Sequence, residues 1–256
     1  MGISAIGGYG AYNHYSQSLS SGSRINRAAD GASEMAILQK EDAQVRGYNV
    51  GADNISEGKN ALNIADGALG QVTDYLQRMR ELGVKASNGL LSDSDRQSIQ
   101  SEIDQLKQGI TDIAGMTSYN EKNLLDGSAG NVQIAMDSNG TGKQINFGNA
   151  TLTDLGIEDF DVTSGNVDLK AIDKALETIN SSRSTVGAQT NALEYAYNSN
   201  RNTAYNLTSG ISRMGDTEYG DYVSKLQKQQ TLDTYRLMMQ KREMENKHRN
   251  TVALFT

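Results

Sequence analysis

The chain contains no cysteine, no proline and no tryptophan. Without cysteine there can be no disulfide framework, thiolate zinc site, iron–sulfur cluster or cysteine nucleophile. Its two histidines, His14 and His248, lie at opposite ends of the sequence, which argues against a His-based triad or a multi-His metal site. Three phenylalanines in 256 residues point away from an aromatic-rich core. Proline normally makes up about 5% of a soluble chain. It breaks helix interiors by removing a donor and clashing with the preceding turn, so its absence suits long unbroken helices. A basic excess is missing too: 24 Lys and Arg face 31 Asp and Glu, for a net charge of -7. That is not the basic face that neutralises phosphates, so no nucleic-acid partner is expected. No apolar run approaches the roughly 20 residues of a membrane span, and no membrane insertion is expected. Met1–Gly10 is uncharged and glycine-rich, unlike a basic-then-apolar leader, so any export is expected to proceed without a cleaved signal peptide.

What the sequence does contain is helical periodicity. Ile55, Leu62, Leu69 and Leu76 form one row, and Ala65, Val72, Met79 and Ala86 a second. Interleaved, they step by three and four, a heptad seam sustained over more than three heptads. The seam, with Ile55, Leu62, Leu69, Val72, Leu76 and Met79 as its packing residues, predicts one long helix over about 31–86. Its helix-friendly sequence begins at Ala28, and a bend is expected near Gly47 or Gly51. Asn88-Gly89 is expected to end it, because both residues tolerate a positive φ. Ser92 can cap a second helix over about 92–115, with Asp93 and Asp95 at its positive end. Ile99, Ile103, Leu106, Ile110 and Ile113 form its stripe, and the short link predicts antiparallel packing.

Between Ser118 and Gly165 the pattern changes. Val132, Ile134 and Met136 alternate with polar residues, as do Ile145 and Phe147. The turn-forming Asp137–Gly142 between them predicts a β-hairpin within a β region of about 129–157. A weaker extended stretch is expected to end at Leu155-Gly156-Ile157, followed by an acidic loop over 158–166. A third long helix is predicted over about 168–214, from Ile172, Leu176, Ile179, Val186, Leu193, Tyr197, Ala204, Leu207, Ile211 and Met214. Helix formers resume after Gly215-Asp216 and become locally basic from Lys225 onward. The expected fold is mainly α: an elongated antiparallel bundle or coiled coil of N- and C-terminal segments, with a small β-hairpin insert. Each long helix has only a narrow apolar stripe, so none is stable alone in water.

Chemistry-bearing motifs are few. Asp137-x-Asn139-x-Thr141-Gly142 imitates the start of an EF-hand loop, but Gly148 stands where the bidentate carboxylate is required, so a hairpin turn is the better reading. No metal site and no cofactor are expected. Walker, Gly-x-Ser-x-Gly and His-Glu-x-x-His motifs do not occur, and no nucleophile–base pair emerges, so no catalytic residues are assigned and no enzyme is expected. Asn54-Ile55-Ser56 and Asn206-Leu207-Thr208 fit the glycosylation triplet but fall inside predicted helices and receive no function. Tyr195, Tyr197 and the Met238-Met239 pair read as seam packing rather than a ligand groove.

Leu19-Ser20-Ser21-Gly22-Ser23-Arg24-Ile25-Asn26-Arg27-Ala28-Ala29-Asp30 resembles the N-terminal signature of the bacterial flagellin family. Leu76-Gln77-Arg78-Met79-Arg80-Glu81-Leu82, Ser94-Asp95-Arg96-Gln97, Glu102-Ile103-Asp104-Gln105-Leu106 and Leu124-Leu125-Asp126-Gly127 follow in order. Ile179-Asn180-Ser181, Val186-Gly187-Ala188-Gln189, Asn206-Leu207-Thr208-Ser209 and Ser212-Arg213 are similar to the C-terminal region. The resemblance covers most of 19–215.

It implies a subunit of the flagellar filament, with 1–30 and 217–256 as inner-tube coiled-coil segments and 31–216 as a rod domain, without an outer variable domain. It further implies an extracellular homo-polymer for motility. The implied partners are a filament cap, hook-junction proteins and an export chaperone. The alternative is a hook–filament junction protein or another flagellin-like axial protein. Recognition by the vertebrate Toll-like receptor for flagellin would fall on Gln77, Arg78, Arg80, Leu82 and Glu102. Leu82 is expected to stand exposed beside Arg78, off the seam. A plainer reading is that Arg78 and Glu102 form a surface ion pair between neighbouring helices.

Overall fold

A computed structural model describes residues 4–253, with side chains over 11–249. Residues 1–3 and 254–256 of the two expected terminal segments lie outside the described residues. The elements run α1 Ser4–Ser21, a 3-10 turn Ala28–Asp30, α2 Ala32–Ala86, α3 Asp93–Met116, β1 Ser118–Tyr119, β2 Lys122–Asn123, β3 Asn131–Ala135, β4 Gly142–Asn146, α4 Leu152–Leu155, α5 Leu169–Gly215 and α6 Tyr219–Ala253. The fold is mainly α, as the periodicity implies. The chain forms two compact units, one of 1–44 with 205–256 and one of 45–204. Both divisions fall inside α2 and α5, not at 30/31 and 216/217 where the sequence suggested a change.

In the 45–204 unit, α2, α3 and α5 bury one shared apolar core. Ile55, Leu62, Leu69, Val72, Leu76 and Met79 of α2 are all buried in it, with Ile103 and Ile110 of α3 and Ile172, Ile179 and Leu193 of α5. Polar pairs along the flanks define the pairing direction. Arg80 donates to Asp173 at 2.7 Å, Arg183 to Asp66 at 2.9 Å and Arg201 to Asn49 at 3.4 Å, and Lys59 pairs with Glu194. As the α2 numbers fall the α5 numbers rise, so these helices are antiparallel. A buried stripe wider than the a/d seam follows from packing against two neighbours instead of one.

The helix ends differ from expectation in their chemistry. Asn88 and Gly89 are absent from the positive-φ residues. Instead α2 ends under the Arg96 guanidinium, which donates to the Ala86 and Asn88 carbonyls, while Asn88 Oδ1 accepts from Leu90 N at 3.0 Å. These contacts occupy carbonyls that a helix C-terminus leaves open. Ser92 caps α3 in a full capping box: its Oγ accepts from Asp95 N, and Asp95 Oδ2 accepts from Ser92 N.

Two hairpins follow α3. The first, β1–β2, was not foreseen; Asn120 and Glu121 at its tip both take positive φ, as a two-residue hairpin turn demands. The second pairs β3 with β4 antiparallel, Val132 opposite Ile145 and Ala135 opposite Gly142. Its Ile145 and Phe147 enter the core. Helix α2 runs unbroken through Gly47 and Gly51, near which the bend is expected. The glycines make room for this hairpin. A Cβ on Gly47 would strike Ser138, and one on Gly51 would strike the Met136 carbonyl. Asn54 is likewise used structurally, donating to Ala135 O at 3.0 Å.

The expected extended stretch before Gly156 is the helical turn α4. Thr151 caps it, and Gly156 ends it in the left-handed conformation with its N–H turned back to Leu152 and Thr153. The acidic 158–166 segment is a loop, but one stitched to α3. Lys107 Nζ donates to the carbonyls of Glu158 at 2.8 Å and Phe160 at 2.7 Å, Gln100 Oε1 accepts from Val162 N, and Phe160 and Val162 are buried.

Candidate assembly and recognition surfaces

The unit of 1–44 with 205–256 is organised by the segment that joins α1 to α2. Asp30 Oδ2 accepts from the Asn26 and Arg27 N–H groups, and its other oxygen lies 3.4 Å from His14 Nδ1. Desolvation works to raise the Asp30 pKa, but those N–H bonds and the nearby His14 and Arg27 together hold it below the ordinary value. Asn26 Nδ2 donates to Ser23 O, and Ser18 is fully buried beneath. The same segment grips the α5–α6 junction. Arg24 donates from its backbone to Gly215 O and from its guanidinium to Met214 O, both at 2.7 Å, and Thr217 N donates to Gly22 O. Tyr219 Oη donates to Leu19 O at 2.6 Å. Thus the Leu19–Asp30 signature and the Met214–Tyr219 junction are one hydrogen-bonded knot. The resemblance marks Leu19–Asp30 and, just before the junction, Ser212-Arg213, but nothing in their spacing reveals that the two regions meet.

Helices α1 and α6 pack against each other. Tyr15 and Tyr222 meet edge to face with centroids 5.7 Å apart, and Lys225 stands 5.3 Å from the Tyr222 ring centre. Further along α6, Leu232, Tyr235, Leu237, Met238, Met239 and Met244 are exposed. Met238 and Met239 are 60% and 59% exposed and Tyr195 on α5 is 78% exposed, so none of the three is at a seam buried within this chain. Tyr197 is partly buried against the core.

On α2, Arg78 lies between two carboxylates, bonded through Nε to Glu102 at 2.8 Å and through Nη1 to Glu81 at 3.0 Å. Glu102 and then Glu81 raise the guanidinium pKa, so it stays charged. Gln77, Arg78 and Arg80 are exposed and Glu102 is half-buried. Leu82 is not: it is 2% exposed and part of the core. The expectation of a protruding leucine beside Arg78 is therefore corrected. At the next residue, Gly83, a Cβ would touch Leu169, Val167 and Phe160, so α2 packs closely there against the start of α5 and the loop before it. Val84 is the exposed apolar side chain nearby.

The Asp137 loop satisfies its own carboxylate. Asp137 Oδ1 accepts from the N–H groups of Asn139 at 2.9 Å and Thr141 at 2.8 Å, and Oδ2 from the Thr141 hydroxyl. Among the described residues no group of three or more His, Cys, Asp or Glu is placed to hold a metal, and no helix is long and apolar enough to cross a membrane.

Long helices from both ends of the sequence, hydrogen-bonded at the Leu19–Asp30 and Met214–Tyr219 segments and separated in sequence by a small β region, define a mainly helical architecture. Residues 10–130 match the bacterial flagellin N-terminal helical region and residues 169–244 the bacterial flagellin C-terminal helical region. A flagellin of Halalkalibacterium halodurans is 36% identical over 209 residues, spanning 79% of this chain and 76% of that one. A flagellin of Bacillus subtilis is 33% identical over 255 residues, spanning 84% of each. A flagellar filament core protein of Treponema phagedenis is 33% identical over 236 residues, 84% of this chain and 82% of that one. The crystal structure of Bacillus cereus flagellin superposes with a TM-score of 0.51 at 29% identity, covering 58% of this chain and 88% of that one. A flagellar hook-associated protein of Vibrio parahaemolyticus shares the fold, with a TM-score of 0.58 at 15% identity over 73% of this chain and all of that one. The chain belongs to the bacterial flagellin family.

Proposed function

We propose that the chain works as a structural subunit of the bacterial flagellar filament, assembling with copies of itself to form the propelling polymer. The observation that carries this reading is the match of both helical regions to flagellin, at 32–36% identity with curated relatives over most of the chain. The surfaces fit such a role. Helix α6 carries several exposed apolar side chains, Leu232, Tyr235, Met238 and Met239 among them on one side, and apolar surface of this kind gains free energy when a neighbour covers it. A helical polymer needs contacts that do not close on themselves, so that each added subunit offers a fresh surface. The hook–filament junction alternative gains nothing comparable, because its support is fold likeness at 15% identity.

The finer reading follows the same line. The chain performs no catalysis, is exported to the flagellum, and meets a filament cap, hook-junction proteins and an export chaperone. A surface of Gln77, Arg78, Arg80 and Glu102 is proposed as the contact for the vertebrate Toll-like receptor, with Leu82 supporting it from beneath. The charged Arg78, fixed between Glu81 and Glu102, is prepositioned for a hydrogen-bonding partner. Electron microscopy of the purified chain after seeding tests the main reading. Long filaments are expected; soluble monomer at every concentration would refute it.

A further inference from the structure

The sequence has two Asn-Gly pairs, Asn88-Gly89 in the α2–α3 link and Asn139-Gly140 at the β3–β4 tip, and both lie exposed. In such a pair the Gly nitrogen can attack the Asn side-chain amide carbon, because no Cβ stands in the way. In a folded chain the reaction depends on what the Gly N–H and the amide oxygen are bonded to. The two pairs differ in both respects.

At the hairpin tip the nucleophile is tied up. Gly140 N donates to Asp137 O at 3.2 Å, and the flanking Asn139 and Thr141 N–H groups both point at the Asp137 carboxylate. Attack by Gly140 has to break its bond, and losing a proton beside a carboxylate is opposed by like charge.

In the α2–α3 link the same atoms are free or activated. Among the described residues nothing accepts from Gly89 N. A Cβ on Gly89 would meet no atom within 4 Å, so ring closure there is unobstructed. Asn88 Oδ1 accepts from Leu90 N at 3.0 Å, which folds the side chain back along the Gly89 peptide. That N–H also sits where negative charge develops when the amide carbon is attacked, an arrangement that lowers such barriers. On the other side of the same peptide, the Asn88 carbonyl accepts from Leu91 N and from the Arg96 guanidinium, both at 3.2 Å. A charged donor on that oxygen draws electron density from the peptide and favours loss of the Gly89 proton. Lys85, Asp93 and Asp95, the other charged residues around the link, are exposed and screened by water, and Asp95 is engaged with Ser92.

We propose that Asn88 is a site of spontaneous modification, selected by the fold over Asn139. Gly89 N bonds to the Asn88 amide carbon and its proton passes through water to Nδ2. The bond from that carbon to Nδ2 breaks, and ammonia leaves. Water then opens the five-membered imide at either carbonyl, giving aspartate or isoaspartate. Either product adds a negative charge beside Arg96, and isoaspartate also adds a carbon to the backbone between α2 and α3. The reaction belongs to the single chain and does not rest on the filament reading.

To test this, the purified full chain is incubated in neutral buffer and digested at intervals. The Asn88 and Asn139 peptides are followed by mass spectrometry, with aspartate and isoaspartate forms separated by chromatography. A parallel sample is held unfolded in guanidinium chloride. The proposal expects Asn88 to convert on the order of tenfold faster than Asn139 in the folded chain, about 1.4 kcal/mol of barrier, and the two rates to converge in denaturant. Equal rates in the folded chain, or a faster Asn139, would overturn it. So would the same ratio in denaturant, because neighbouring residues and not the fold would then set the difference. Gly89→Ala, which the open surroundings of Gly89 tolerate, should slow conversion at Asn88 by on the order of tenfold and leave Asn139 unchanged. Undiminished conversion in that variant, with its fold confirmed by circular dichroism, would show that Gly89 N is not the attacking atom.

Discussion

Arg78 and Leu82 are one helical turn apart on α2, yet one is bonded to two carboxylates in water and the other is in the core. Their substitutions should separate cleanly. Leu82→Ala should lower unfolding free energy in urea by about 2–5 kcal/mol, the range for a large core side chain cut to Ala. Arg78→Ala should leave the unfolding midpoint nearly unchanged while weakening receptor binding. A stability loss from Arg78→Ala matching that of Leu82→Ala would contradict this division. The sequence showed the a/d seam because its spacing repeats. It did not show Leu82, which sits beside that seam and is buried in the shared core by tertiary packing that leaves no local periodic signal. The same holds for Gly51. Its glycine reads as a bend, while its role is to let the Met136 carbonyl approach. Gly51→Ala should therefore cost about 1–3 kcal/mol by overpacking, although alanine is the better helix former, and a stabilised variant would disprove the close approach.

The elements themselves were largely legible: three long helices, the Ser92 cap and the Val132–Phe147 hairpin all have local signatures. Ends and turns were less so, because side chains distant in sequence settle them. Helix α2 stops under Arg96, which no turn-residue rule reveals. Arg96→Ala should expose the Ala86 and Asn88 carbonyls and destabilise the α2–α3 link by about 1–2 kcal/mol, read as earlier hydrogen exchange at residues 83–92. Exchange there that matches wild type would show that Arg96 is dispensable. The Asp137 turn makes a pH prediction. Its bond from the Thr141 hydroxyl comes first; desolvation opposes, and the N–H groups of Thr141, Asn139 and Gly140 add to it, so the Asp137 pKa is lowered. A lowered folded-state pKa means the turn's contribution is whole above the unfolded value of about 3.9 and is lost as pH falls through the folded one. Carboxyl NMR should show Asp137 titrating below that value, and a midpoint above it would contradict the turn geometry.

At the scale of the whole molecule, the account turns on where apolar surface goes. The core of the 45–204 unit is satisfied within the chain, whereas α6 keeps Leu232, Tyr235, Leu237, Met238, Met239 and Met244 in water. Brief proteolysis of the monomer should accordingly trim the C-terminal segment first and spare a core near 30–215. A tail as resistant as the core would mean that its apolar row is covered within its own chain. The sequence showed the terminal segments only through family resemblance, because their apolar pattern is weak and in this reading is completed by neighbouring subunits. The central claim is that these segments drive polymerisation. Its most direct test is seeded sedimentation of the full chain beside one ending at Gly220, each confirmed as folded by circular dichroism. The account predicts that the full chain pellets as filaments above a critical concentration while the shortened chain stays in the supernatant. Filaments from the shortened chain at the same critical concentration would contradict it.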